Sequence, residues 1–271
     1  MSATATATDY RALFDYAAQP KEAVNCPLCD RANPSVPATD RFGYAIGVSR
    51  CVCGMAYLNP RMTPEGYATF YETAYRPLTH AYCGTKAGHA DQSTAGRGLA
   101  IGQAMQTRLS PGVSVLDVGG GVGTAARAAG HLLRASRVTV VDPNADELRE
   151  AAARGCETIQ GLVDTLQAPS APADLVLCLL TADHWLDPLR ALRWLRAACA
   201  RYLWIDIVDV RVNLEPGGLA PWKIDHPLYW TIATFREALR RTGWAVTQIY
   251  WRTDKAGRPK RHRPNFLCEG A

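Results

Sequence analysis

The run Val115-Leu116-Asp117-Val118 leads directly into Gly119-Gly120-Gly121-Val122-Gly123, and an alanine-rich segment follows over 124–134. An apolar strand that ends in glycines and turns into a helix is the opening unit of a parallel sheet, and ligands bind such sheets at this turn. Glycine serves there because a backbone without Cβ lets a bound nucleoside come close. Two simpler phosphate-binding patterns do not fit. Gly119, Gly121 and Gly123 read G-x-G-x-G rather than the dinucleotide fingerprint, and no Lys-Ser/Thr pair follows, which excludes a P-loop. Glycines at such a turn also serve plain helix–sheet packing. What sharpens the reading is Asp142, at the end of the next strand, where a carboxylate accepts hydrogen bonds from both ribose hydroxyls. The competing role for Asp142 is to cap the helix that follows Pro143-Asn144.

The rest of the chain extends this alternation. Strands are expected over 113–118, 137–141, 174–180 and 202–208, with helices over 124–134, 146–154 and 189–200. The strand at 174–180 is apolar on both faces, as in a buried parallel sheet. Thr234-Phe235-Arg236-Glu237 reads as a capping box opening a helix that Gly243 ends, and two last strands, 244–251 and 265–268, flank a basic loop. Upstream, Thr63-Pro64-Glu65 starts a helix whose Tyr67, Phe70, Tyr71 and Ala74 form one buried face. Residues 76–97 show little periodicity and read as a loop with at most one helical turn, before a helix over 99–109. The fold class is α/β, a parallel sheet covered by helices on both faces.

Between residues 25 and 60 the chain is loop-rich and carries Cys26-Pro27-Leu28-Cys29 and Cys51-Val52-Cys53. Two cysteine pairs at this spacing bring four thiolates together, the donor set of a closed structural zinc site. The other reading is a metal-free lobe with reduced thiols. Cys83, Cys156, Cys178, Cys199 and Cys268 read as small core or surface residues. With 48% hydrophobic and 20% charged residues the chain buries a proper core. The longest apolar run is too short for a membrane span. Residues 1–8 have neither a basic nor an apolar signal region, so a cytoplasmic location is expected. A net charge of +5 is not the field of a dedicated nucleic-acid binder, although Arg252, Lys255, Arg258, Lys260, Arg261 and Arg263 crowd one stretch. That stretch reads as a solvated hairpin loop or as a contact for a phosphorylated substrate or RNA.

The Asp117-Val118-Gly119 start, the glycine turn and Asp142 together resemble the class I S-adenosylmethionine-dependent methyltransferases. The resemblance runs from Cys26 to about Cys268. It implies a seven-stranded Rossmann-like sheet whose last strand is antiparallel, with an N-terminal zinc ribbon and a helical lid. The corresponding organisation is a flexible tail (1–22), the ribbon (23–61), the lid (62–111) and the methyltransferase domain (112–271). It implies S-adenosylmethionine as cofactor, with Asp117 near its methionine part, Asp142 and Pro143 at the ribose, and Leu162 and Val163 at the adenine. Gly119, Gly121, Gly123, Leu179, Tyr75 and Gln92 complete the expected cofactor residues, and Arg97 is expected to reach the cleft. It also implies Zn2+ on Cys26, Cys29, Cys51 and Cys53, although this chain has C-x-C where the family has C-x-x-C. Asn59-Pro60-Arg61, the Asp40-Arg41-Phe42-Gly43 loop and the tyrosine-rich helix match the ribbon-bearing subgroup.

Two histidines complete the pattern. Asp183-His184-Trp185-Leu186-Asp187-Pro188 resembles the Glu-His-Leu-x-Asp-Pro stretch of small-molecule methyltransferases, with Asp183 for Glu and Trp185 for Leu. His226, in Asp225-His226-Pro227-Leu228-Tyr229-Trp230-Thr231, falls in a run that closes over the acceptor in that subgroup. A neutral imidazole is a suitable base for a hydroxyl, an amine or an acidic C–H. His184 and His226 are therefore the candidate bases, with Asp183 and Tyr229 beside them. The plain alternatives are a loop-capping histidine and an aromatic packed on the sheet. The reaction expected is in-line methyl transfer to a small-molecule acceptor of the sugar, nucleotide-sugar, glycan or natural-product type, driven mainly by proximity and orientation. The rivals are an RNA methyltransferase using the zinc lobe and residues 252–263, a catalytically silent zinc-ribbon module, and a nicotinamide-dependent dehydrogenase. The first lacks an Asn/Asp-Pro-Pro-Tyr motif, the second is opposed by the intact glycine turn and Asp142, and the third by the Asp-x-Gly start.

Overall fold

The computed structural model describes residues 10–83, 87–211, 222–253 and 258–271. In chain order its elements begin with β1 (Lys21–Glu22), β2 (Ser35–Thr39), β3 (Ala45–Arg50), β4 (Ala56–Leu58) and β5 (Arg61–Met62). Three helices follow, α1 (Pro64–Thr73), α2 (Tyr75–Cys83) and α3 (Ala87–Met105). The alternating part contains β6 (Ser114–Val118), α4 (Thr124–Leu133), β7 (Arg137–Asp142), α5 (Ala145–Ala153), β8 (Glu157–Gln160), β9 (Ala173–Cys178), α6 (Pro188–Ala198) and β10 (Cys199–Asp206). It closes with β11 (Leu228–Tyr229), α7 (Ile232–Arg241), β12 (Trp244–Thr253) and β13 (Pro259–Gly270).

Seven strands form the central sheet in the order β12-β13-β10-β9-β6-β7-β8. The run from β10 to β8 is parallel, and β13 lies antiparallel to both of its neighbours. This is the α/β sheet with a reversed last strand that the sequence implies. β6 is the middle strand of the parallel run β10-β9-β6-β7-β8, and the glycine turn opens at its carboxyl end, where β7 and β9 also end. Val115, Leu116, Val118, Val140, Val141 and Leu175 to Cys178 are all buried, so both faces of the sheet are covered.

Several local expectations are corrected. The described residues of 76–97 are helical: most of α2 and most of α3 lie there. The helix α7 is capped by Thr231 rather than Thr234, since the Thr231 side chain accepts from Thr234 N and the Thr234 side chain accepts from Thr231 N. Threonine does the work of Glu or Gln in this capping box, so the pattern was displaced by three residues. Arg252, Lys260, Arg261 and Arg263 stand on the long strands β12 and β13 rather than in a loop, while Lys255 lies outside the described residues. The N-terminal segment from Tyr10 onward is packed, with Phe14 and Tyr16 buried and the Tyr44 hydroxyl donating to the Phe14 carbonyl at 2.8 Å. Among the described residues, no helix is long and apolar enough to cross a membrane.

The cysteine segment is more regular than its loop-like sequence suggests. Strands β2, β3 and β4 form an antiparallel sheet whose fourth strand is β11, paired through Leu228 with Tyr57 and Tyr229 with Ala56. The chain thus returns to its N-terminal lobe immediately after His226. Cys26, Cys51, Met55 and Tyr57 share one core with Trp230 and Phe235. Arg61 of the Asn-Pro-Arg turn donates to the Leu186 carbonyl at 2.7 Å and pairs with Glu22 at 2.9 Å, which clamps the lobe onto the His184 loop.

Candidate active site

The glycine turn takes the form its residues permit. Gly119, Gly121 and Gly123 have φ of 71°, 55° and 76°, in the left-handed region where a side chain is strained. A Cβ on Gly119 would run into the Thr181 side chain, and one on Gly123 would crowd Val140 and Cys156. Gly119 and Gly121 therefore border the cleft, whereas Gly123 serves helix–sheet packing and starts α4. Asp142 accepts the Gly121 N–H at 2.9 Å on one oxygen and the Asn144 N–H at 2.9 Å on the other. Asn144, not Asp142, caps α5. Each Asp142 oxygen keeps acceptor capacity toward the cleft.

A cleft of about 830 Å3 opens here, lined by Asp142, Pro143, Leu162, Val163, Tyr75 and His184 among others. A second compartment carries Asp117, Leu179 and Arg97 on the other side of the glycine turn. Tyr75, Arg76, Gly119, Glu147 and Leu180 line both, and the Arg76–Glu147 ion pair, 2.6 Å at its Nη2–Oε2 contact, bridges α2 to α5 above Gly121. Burial and the Asp142 charge push the Asp117 carboxyl up to about 7, and its Oδ1 is buried with no partner. Burial likewise pushes Asp142 up to about 6, against the N–H donors that hold it down. An unpartnered acid at one end, a ribose-type carboxylate at the other and an apolar Pro143-Leu162-Val163 wall between them fit a nucleoside cofactor with a charged tail. Gln92 lies outside the residues whose side chains are described.

The histidines meet at the edge of this cleft. The rings of His184 and His226 pack edge to face with centroids 4.6 Å apart. His184 follows β9 on the single turn Ala182–His184, and its Nδ1 lies 2.8 Å from the Tyr71 hydroxyl. His226 has Asp225 Oδ2 at 3.5 Å, Asp183 Oδ2 at 3.8 Å and Lys223 Nζ at 3.1 Å. Burial lowers His184 to about 4 and drives His226 well below its usual value, so both are neutral at pH 7. Burial also pushes Asp183 up to about 7, despite the nearby Lys223 charge. Tyr229 lines the far side of His226, but its hydroxyl donates to the Lys223 carbonyl at 3.0 Å and accepts the Lys223 N–H at 2.7 Å. It therefore holds the 223–226 turn. Tyr67 and Tyr71 donate to the carbonyls of Ile224 and Asp225 at 3.2 and 3.3 Å and hold the same turn from α1. Donor atoms of His184, Asp225 and His226 lie within 4.8 Å of one another. Lys223 Nζ stands at Nε2 of His226 and the Tyr71 hydroxyl at Nδ1 of His184, which leaves Nδ1 of His226 and Nε2 of His184 as the other ring nitrogens.

Tyr71, Lys223 and Arg41 are site residues that the sequence did not single out as functional, whereas Asp225 stands next to His226 in the chain, where it could orient the ring. For Tyr71 its place on the buried helical face pointed to packing alone. The signal for Lys223 was its closeness to His226.

At the other end of the lobe, the sulfurs of Cys26, Cys29, Cys51 and Cys53 all lie within 4.8 Å of one another, with Cys26–Cys53 at 3.6 Å and Cys29–Cys51 at 3.4 Å. Two tight turns present them, one closed by Asp30 N to Cys26 O at 2.8 Å, the other by Gly54 N to Cys51 O at 2.9 Å. The C-x-C spacing does not prevent convergence, because Gly54 at φ 92° completes the second turn. Burial pushes the Cys51 thiol up, but hydrogen bonds from the Cys53 backbone and the Cys29 thiol outweigh it and bring it to about 7. Four convergent sulfurs and no fifth donor form a closed set that could hold a tetrahedral metal.

Residues 87–249 match the family described as the methyltransferase domain; the match begins after the cysteine lobe, α1 and α2. No curated protein matches the sequence. Among solved structures, an S-adenosylmethionine dependent methyltransferase from Mesorhizobium loti is similar at 19% identity and TM-score 0.50, over 63% of this chain and 96% of its own. A chain of the complex between the Haloferax volcanii Trm112 methyltransferase activator and a methyltransferase gives 18% identity and TM-score 0.55, over 68% of this chain and 95% of its own. Magnesium protoporphyrin IX methyltransferase from Synechocystis PCC 6803, solved with bound SAH (S-adenosylhomocysteine), gives 17% and 0.52, over 69% and 89%. At such identities the likeness is one of fold. With the family match covering more than half of the chain, the conclusion is direct: this protein belongs to the methyltransferase-domain family and is an S-adenosylmethionine-dependent methyltransferase.

Proposed function

We propose that the chain methylates a small-molecule acceptor of the sugar, nucleotide-sugar, glycan or natural-product type, with His226 as the base. The observation that carries this reading is the contact between His184, which faces the cofactor cleft, and His226, which faces a separate polar recess. An acceptor bound at that seam has its nucleophile beside the cofactor and its proton beside an imidazole. Bound S-adenosylmethionine supplies an electrophilic sulfonium methyl. Asp142 and Pro143 hold its ribose, Leu162 and Val163 line the adenine, and Asp117, Leu179 and Tyr75 enclose the methionine side.

The remaining work falls to the chain's own residues. His226 takes the acceptor proton, and the imidazolium so formed lies near the Asp183 and Asp225 carboxylates. Tyr71 fixes the His184 ring, while Tyr67 and Tyr229 fix the turn that carries His226. Such positioning supplies most of the rate in a reaction whose leaving group is already good. Cys26, Cys29, Cys51 and Cys53 hold a structural Zn2+ that locks the lobe to which β11 is paired.

The test is transfer of a tritiated methyl group from S-adenosylmethionine to a panel of nucleotide-sugars, free sugars and phenolic natural products. Label in at least one of these is expected, lost with His226→Ala. Label appearing only in RNA would refute the small-molecule reading.

A further inference from the structure

The recess beyond His226 gathers more positive charge than methyl transfer itself requires. It is walled by Arg41, Lys223, Arg263, Asp183, His226 and Tyr229, with two valines. The three cations come from distant parts of the chain: Arg41 from the turn between β2 and β3, Lys223 from the turn before β11, and Arg263 from β13. The positions are built rather than incidental. Asp40 accepts the N–H groups of Phe42 and Tyr44 at 2.8 and 2.9 Å and that of Ile224 at 3.2 Å, while Arg41 N donates to the Trp222 carbonyl at 3.1 Å. Arg41 and Lys223 are thereby fixed side by side, and the Arg41 guanidinium lies over the Tyr82 ring at 4.8 Å.

What the cluster lacks is an anion in direct contact with its cations. Among the described residues, none of the three cations pairs with a carboxylate within ion-pair distance, and the Arg41 Nε is buried with no hydrogen-bond partner. Asp183, on the recess wall, and Asp225 both direct an oxygen at His226, and the buried Asp206 carboxyl acts on Arg263 from further off. Asp183 and Asp225 each also keep a buried Oδ1 without a partner. Burial pushes Asp183 up to about 7 against the pull of Lys223 and Arg263, and it lowers Lys223, both signs of a desolvated site. Like charges held in such a site repel strongly unless a counter-charge joins them.

We infer that the acceptor carries an anionic oxygen group, a carboxylate or a phosphate, which docks among Arg41, Lys223 and Arg263 while the atom to be methylated points back to His226 and His184. This rests on the reading of the histidine seam as the transfer site. Because Lys223 Nζ stands 3.1 Å from His226, the anionic group binds close to the atom that loses its proton. Specificity therefore resides in residues of the N-terminal lobe and β13, outside the cofactor cleft.

The experiment is calorimetric titration of phosphate, pyrophosphate and malonate into the protein with and without saturating SAH, at constant ionic strength. It compares the wild type with Arg41→Gln and Arg263→Gln. At least one probe binds the wild type, and each variant weakens it about tenfold or more, the loss of one charge-assisted contact. SAH affinity, which reports an intact fold, stays unchanged in both. The two phosphate probes against malonate separate the phosphate from the carboxylate source. Equal binding to wild type and variants, or no binding of any probe, overturns the inference. A chain that bound the anions but not SAH would instead overturn the methyl-transfer reading, and with it the assignment of the anion to an acceptor.

Discussion

Replacing His184 and His226 together by alanine is expected to lower turnover by about 10^2- to 10^4-fold, the usual contribution of a positioned general base. SAH affinity is expected to stay within about threefold of the wild type, since neither ring bonds to Asp142, Pro143 or the glycine turn. The split matters because both imidazoles are half-buried, and a merely structural role would damage the neighbouring cleft as well. Single variants separate the two. His226→Ala carries most of the loss, because it removes the ring that sits between Asp183, Asp225 and Lys223. His184→Ala frees the Tyr71 hydroxyl and loosens the wall facing the cofactor, a smaller effect. A double variant that lost SAH binding would demote both to structure.

The second large effect is expected at the cysteines. Cys29→Ser, or removal of the metal by a chelator, is expected to cost several kcal/mol, because a structural zinc site contributes its binding energy to folding. For a chain of this size that is a fall in Tm of roughly 10 °C or more. The damage should travel. Met55 and Tyr57, just past the second cysteine pair, share a core with Trp230, and Tyr57 pairs with Leu228 two residues after His226. Loss of the metal should therefore abolish turnover while SAH still binds the β6–β7 cleft within a few-fold. Elemental analysis of the purified protein should find one zinc per chain. Full activity in a zinc-free protein would refute this role.

The cleft at the glycine turn and Asp142 was legible in the sequence because local rules decide it. An apolar strand, glycines at left-handed φ and an acid closing the next strand each leave a mark within a few residues. The lid was legible only in part: Thr63-Pro64 and the tyrosine face marked α1, whereas α2 and the first half of α3 left no such mark. α3 packs on α4 through Gly98 and Gly102, where a Cβ would strike Ala125, Ala128 or Ala129, so glycines share its buried face with Ile101 and Met105 and dilute the hydrophobic period. The acceptor side was hidden for a different reason. Arg41, Lys223 and Arg263 converge only because β11 joins β4 and β13 enters between β10 and β12. Such pairings couple segments far apart in the chain, and no local pattern carries them. The basic stretch 252–263 attracted attention for its charge density, yet among its described side chains it is Arg263 that lines the recess.

The most direct measurement is calorimetric titration of SAH into the wild type and Asp142→Ala. Micromolar binding is expected in the wild type. It should weaken below about pH 6 as Asp142 takes up a proton and stops accepting from the ribose. The variant should lose about 100-fold, the worth of two charge-assisted hydrogen bonds. Equal affinity in the two proteins, or binding that ignores pH across that range, would contradict the placement of the cofactor between the glycine turn and Asp142.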